Sequence, residues 1–173
     1  MKTLILGGVR SGKSKIAEQM ANKSGLPVTY IATATANDEE MHQRIEAHRK
    51  RRPTDWTIIE ETLTLASTLR ENTTTERCII VECLTLWLTN LLVSPDTTLL
   101  EQERNAFIKT LPELKGDIIF VSNETNMGIM PLGEITRRYC DEAGRLHQEM
   151  ASICDRVILT VAGLPLVLKG DLS

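Results

Sequence analysis

Near the start of the chain, Gly7-Gly8-Val9-Arg10-Ser11-Gly12-Lys13-Ser14 satisfies the spacing G-x-x-x-x-G-K-[ST], and these residue types in this order suit the holding of phosphate. Glycines lack the Cβ that keeps a backbone away from a ligand, so successive N–H groups can turn toward phosphate oxygens. A helix opening at Lys13 would add the positive end of its dipole. The Lys13 ammonium would then reach the β- and γ-phosphates of a nucleoside triphosphate, while the Ser14 hydroxyl would hold Mg²⁺. The pattern demands a strand before it and a helix after it. The apolar run Thr3 to Leu6 and the helical pattern Lys13 to Lys23 supply both.

A phosphate cradle of this kind works with an acid at the end of another buried strand, where a carboxylate meets the metal or its water. Cys78-Ile79-Ile80-Val81-Glu82 ends in such an acid, a Glu where Asp is commoner. Glu82 is the candidate, against the alternative of a solvated charge at a strand end. Asp117 opens its strand instead, which puts it at the wrong edge of a parallel sheet.

A second constellation lies in the helical pattern Asp38 to Arg51, which stops at Pro53. Met41, Ile45 and His48 share one stripe, whereas His42 falls on the polar side with Glu46 and Arg49. His48 is followed by Arg49, Lys50, Arg51 and Arg52. Two readings stand side by side. The cations complement the negative end of a helix dipole and His48 is a core residue, or the cations bind a triphosphate whose α-phosphorus lies beside His48. Neighbouring positive charge would favour the neutral, nucleophilic imidazole.

The elements that must position these groups alternate along the chain. Strand-like apolar runs are Thr3 to Leu6, Val28 to Ala32, Trp56 to Glu60, Cys78 to Glu82, Ile118 to Ser122, Arg156 to Val161 and a short one near Leu166 to Leu168. Their lack of strict alternation suits strands buried on both faces. Helical patterns run over Lys13 to Lys23, Asp38 to Arg51, Leu63 to Glu71, Leu84 to Leu92, Leu100 to Leu111 and Leu132 to Ile153, with a turn at Ser94 to Thr98. That order predicts a single α/β domain over residues 1–173, a mainly parallel sheet flanked by helices on both faces, P-loop NTPase-like. Ligands would bind at the carboxyl ends of its strands.

Composition narrows the class. A chain of 173 residues, 42% hydrophobic and 25% charged, is that of one globular domain. Its net charge of −3 gives no basic footprint for nucleic acid. No run approaches the ~20 apolar residues of a membrane span, and the short apolar run after Met1-Lys2-Thr3 is no signal peptide. A cytoplasmic location is expected. Cys78, Cys83, Cys140 and Cys154 lack metal-ligand spacing and read as reduced, buried thiols.

Over nearly its whole length the sequence resembles the bifunctional adenosylcobinamide kinase/adenosylcobinamide-phosphate guanylyltransferases of cobalamin assembly. The resemblance rests on Gly7-Gly8 with Arg10 to Ser14, Tyr30-Ile31-Ala32-Thr33, Asp38 to Met41 with Arg44-Ile45, His48, Arg52-Pro53 with Trp56, and Val81 to Thr85. It continues through Thr89 to Leu92, Asn123-Glu124 with Met127 to Ile129, Gly144-Arg145 and Gly163 to Pro165. It implies an enzyme that phosphorylates adenosylcobinamide with ATP or GTP. The second step it implies is transfer of GMP from GTP to that phosphate, through a guanylyl-histidine at His48. It also implies nucleotide contacts at Ala32, Thr33 and Ala34, at Arg49 to Arg52, and at Glu60 and Glu82, and a homotrimer. Ala47, Thr125-Asn126 and His147 depart from the family's usual residues, His147 standing where Asn is expected. Two other readings of the residues are a P-loop kinase for another small alcohol, without guanylyl transfer, and a non-catalytic nucleotide-binding switch.

Overall fold

In a computed structural model that describes residues 1–35 and 53–172, the apolar runs assemble into one sheet. Its strands are β1 (Lys2–Gly7), β2 (Val28–Ala32), β3 (Thr57–Glu60), β4 (Cys78–Glu82), β5 (Asp117–Asn123), β6 (Arg156–Val161) and β7 (Leu164–Lys169), in the order β3-β2-β4-β5-β1-β6-β7. Neighbouring strands from β1 to β6 pair in parallel. Helices among the described residues are α1 (Lys13–Lys23), α2 (Leu65–Asn72), α3 (Leu84–Leu92), α4 (Leu99–Thr110) and α5 (Glu134–Ile153). The helix expected over Asp38 to Arg51 lies outside the described residues.

Because side chains alternate along a strand, each strand feeds two apolar layers. Leu4, Leu6, Ile79, Val81, Ile118 and Phe120 meet α2, α3, α4 and α5 through residues such as Leu69, Trp87, Phe107 and Leu146. Ile5, Ile80, Ile119, Val121 and Ile158 meet Ala17 and Ala21 of α1 on the other face. Helices thus cover both faces, unequally. The small Ala17 and Ala21 let α1 approach closely, which brings its first turn down onto the strand ends.

Several boundaries shift by a residue, and three elements differ by more, each for a local reason. The helix expected from Leu63 begins at Leu65, because the Glu61 carboxylate accepts the Leu63 and Thr64 backbone N–H groups at 2.7 Å each and so satisfies donors that another helical turn would leave bare. The one expected from Leu132 begins at Glu134, since Gly133 is extended at φ −72°, ψ 134° and Leu132 stands in water. The last strand is longer than expected and pairs antiparallel with β6. Positive φ at Ala162 (51°) and Gly163 (82°) gives the tight hairpin turn whose twist suits antiparallel strands.

Candidate active site

A parallel sheet collects the carboxyl ends of its strands on one edge. In register, Gly7 of β1 sits beside Asn123 of β5, and Ala32 of β2 lies between Glu60 of β3 and Glu82 of β4. The glycine-rich segment, Ala32 to Ala34, Glu60 and Glu82 are therefore gathered along one edge. Asp117 lies at the opposite edge, as expected, where it pairs with the N-terminal ammonium at 2.9 Å.

The loop between β1 and α1 wraps as a cradle. A Cβ at Gly7 would lie 2.4 Å from the Thr160 carbonyl oxygen, and one at Gly12 (φ 99°) would lie 3.2 Å from Gly163 Cα. Only glycine fits these two close approaches. The β6–β7 turn braces the loop from beneath, with Gly163 N–H donating to Ser11 O at 2.8 Å. Gly8, Val9 and Arg10 face solvent at the rim, and Arg10 holds a positive φ of 56°.

Lys13 is buried, and its Nζ donates to Gly8 O at 2.6 Å, with Ser11 Oγ at 3.5 Å. Burial pushes its pKa below the ordinary lysine value, while the negative charge available at Cys83 and Glu82 pulls the other way. Among the described residues no carboxylate forms an ion pair with this ammonium, so the cradle holds a cation that an incoming phosphate would neutralise. Ser14 Oγ donates a hydrogen bond to Glu82 Oε1. The other carboxylate oxygen, Glu82 Oε2, is buried with no hydrogen-bond partner. A serine hydroxyl beside an unsatisfied carboxylate oxygen is the donor set a small, hard cation takes, with phosphate and water completing its shell. Among the described residues no group of three or more His, Cys, Asp or Glu side chains could hold a metal by itself.

Thr33 serves the acid's strand end. Its Oγ1 donates to Cys83 O at 2.7 Å and accepts from Cys83 N–H at 2.8 Å, and its own N–H donates to Glu82 O at 3.0 Å. The rest of the Thr33 backbone is engaged as well, its carbonyl accepting from Asn90 Nδ2 at 2.9 Å, and the residue is fully buried. Ala34 is half-buried beside it, and Glu60 is exposed at the end of β3. His48 and Arg49, Lys50, Arg51 and Arg52 lie outside the described residues, in the sequence connecting β2 to β3.

Sequence reasoning missed the clamps behind this edge. Asn90 of α3 donates to Thr33 O at 2.9 Å and Thr62 O at 3.2 Å, and accepts from Thr35 Oγ1 at 3.0 Å. It ties together the loops leaving β2 and β3. Thr85 Oγ1 accepts from Asn123 N–H at 2.8 Å, and Glu124 N–H donates to Gly7 O at 2.9 Å. On the helix face below, His147 Nε2 shares a hydrogen bond with Ser122 Oγ at 2.8 Å. The signal for Thr85 and Asn90 was present: they interrupt the otherwise apolar Leu84–Leu92.

Comparison with known proteins gives the chain's family and fold. The profile of the family described as cobinamide kinase / cobinamide phosphate guanyltransferase matches residues 3–168. The chain is 58% identical over 171 residues to the bifunctional adenosylcobalamin biosynthesis protein CobP of Pseudomonas aeruginosa, covering 99% of both chains. It is 35% identical over 182 aligned positions to the bifunctional adenosylcobalamin biosynthesis protein CobU of Escherichia coli, covering 98% of this chain and all of that one. Among solved structures it superposes on the RadB recombinase with a TM-score of 0.54 at 13% identity, over 99% of this chain and 81% of that one. That likeness is one of fold, and the fold is P-loop NTPase-like.

Proposed function

Because the chain belongs to the cobinamide kinase / cobinamide phosphate guanyltransferase family, we propose that its strand-end edge performs both of that family's reactions, each with residues named above. The protein is an enzyme, a transferase of adenosylcobalamin biosynthesis. In the first reaction the hydroxyl of adenosylcobinamide attacks the γ-phosphorus of ATP or GTP, the bond from γ-phosphorus to the β–γ bridging oxygen breaks, and a nucleoside diphosphate leaves. Lys13 and the N–H groups of Gly8 to Ser14 stabilise the charge on the departing phosphate. In the second, His48 attacks the α-phosphorus of GTP and pyrophosphate leaves toward Lys13 and the cations Arg49 to Arg52. The phosphate of adenosylcobinamide phosphate then displaces His48, giving adenosylcobinamide-GDP. Splitting the transfer requires a nucleophile that also leaves readily, which imidazole does.

Ser14 and Glu82 would hold Mg²⁺. A cation there supplies Lewis-acid neutralisation of phosphate charge. Ala32 to Ala34 and Glu60 complete the nucleotide contacts in this reading. The observation that carries it is the buried Lys13 ammonium, without an ion pair among the described residues, beside the Ser14–Glu82 pair, a charge arrangement that a magnesium-bound triphosphate would complete.

We place the enzyme in the cytoplasm as a single catalytic domain with no nucleic-acid partner. Among the described residues no helix is long and apolar enough to cross a membrane. The test of function is direct: purified protein with Mg²⁺ and GTP should convert adenosylcobinamide to its phosphate and then to adenosylcobinamide-GDP, resolved by chromatography. Phosphate without the GDP product would reduce the protein to a kinase, and neither product would overturn the reading.

A further inference from the structure

Strands β4, β5 and β1 lie side by side in the sheet. The outer two end in the groups already described, Glu82 and Gly7, and the strand between them ends in Asn123. Its orientation follows from alternation. Ile119 and Val121 pack in the layer that contains Ala17 and Ala21 of α1, so Asn123 belongs to that same face, the one on which the first turn of α1 carries Lys13 and Ser14. Ser122 points the other way, to His147.

The backbone around Asn123 is pinned on both sides. Its N–H donates to Thr85 Oγ1 at 2.8 Å, and the following N–H, that of Glu124, donates to Gly7 O at 2.9 Å. Its half-buried side-chain amide, by contrast, makes no hydrogen bond among the described residues. A carboxamide free of hydrogen bonds to the described residues thus stands on a pinned backbone, at the strand end between the acid and the cradle.

We propose that Asn123 is a catalytic residue of the kinase step, its Nδ2–H donating to an oxygen of the γ-phosphate held by Lys13 and Ser14. The assignment rests on the function proposed above and goes beyond it. During γ-phosphoryl transfer the bond from γ-phosphorus to the β–γ bridging oxygen breaks, its electron pair leaving with the nucleoside diphosphate, the bond to the substrate hydroxyl oxygen forms, and the hydroxyl proton passes to solvent. The γ-phosphate is the moving group, and a neutral donor fixed beside it stabilises the spread of charge on its oxygens. In guanylyl transfer the bond that breaks lies between the α-phosphorus and the α–β bridging oxygen. The γ-phosphate then stays intact in the leaving pyrophosphate, so the same donor matters far less. Asn123 therefore separates two reactions that share one cradle.

The experiment compares wild type with Asn123→Ala and Asn123→Asp in three assays: phosphorylation of adenosylcobinamide, binding of GTP, and labelling of the protein by α-labelled GTP. Asn123→Ala should lower the kinase kcat by about a hundredfold, with losses in GTP binding and protein labelling of no more than about tenfold. Asn123→Asp keeps the size and the backbone bonds but sets a carboxylate against the γ-phosphate, and should be the slower kinase of the two. An unchanged kinase rate in Asn123→Ala, or equal losses in kinase rate and labelling, would overturn the assignment while leaving the proposed function in place. A wild-type protein with no phosphorylating activity would overturn both.

Discussion

His147 is a titratable ring that the fold buries. Burial pushes its imidazole below the ordinary histidine value, and Glu124, whose Oε2 lies 3.7 Å from Nδ1, pulls the other way. A folded pKa below the unfolded value of about 6.5 means that the unfolded chain takes up the proton more readily. Stability is therefore full above that pH and falls as the pH drops through and below it, by up to about 1.4 kcal/mol per unit. Thermal melts from neutral to mildly acidic pH should show this slope, and His147→Gln should flatten it; an identical slope in the variant would place the acid sensitivity elsewhere. Residues of this kind were hard to read from sequence. Ser122 looked like the last member of an apolar strand and His147 stood out only as a departure from the family's Asn, and only the fold shows the two meeting on one face of the sheet. The thiols were mostly legible: all four are free, Cys78, Cys140 and Cys154 are buried as expected while Cys83 is only half-buried, and burial pushes Cys78 up to about 11 and Cys154 up to about 12, so neither of these two is reactive.

Among the elements, the strand–loop–helix of β1 and α1 is where local sequence and fold agree most fully. Helix α1 runs over the residues expected of it because Gly12 takes the left-handed turn that opens it and the motif fixes its start. Elements decided by tertiary contacts were less legible, as the late starts of α2 and α5 and the reversed direction of β7 show. The same logic gives a prediction at the junction of α1 and the β6–β7 turn. Gly12→Ala forces a Cβ onto a backbone at φ 99° and within 3.2 Å of Gly163 Cα. The strain should lower stability by about 1–3 kcal/mol and loosen nucleotide binding. Urea unfolding with a midpoint equal to wild type, together with unchanged GTP affinity, would show that the brace from Gly163 carries no such constraint.

At the scale of the whole molecule, one parallel sheet makes distant segments into neighbours: residues 7, 32, 60, 82 and 123 share an edge because their strands all run the same way. Alternation of strand and helix foretold that sheet and the edge on which the motif would lie. It did not foretell the strand order, which sets β5 between the cradle and its acid and so gives Asn123 its place. Apolar side chains also remain in water, Ile129 at 99% and Leu132 at 97% exposure, more than a lone globule needs. They suit burial against another chain, and we propose the homotrimer that the family resemblance implies; sedimentation at micromolar concentration should give three chains per particle, and monomers throughout would contradict it. The central claim is that one edge works at both ends of a triphosphate, with His48 attacking what the cradle holds. Incubation with α-labelled GTP and Mg²⁺ tests it most directly. Wild type should carry acid-labile, base-stable guanylate, and His48→Ala should carry none while still binding GTP; undiminished label on that variant would contradict the account.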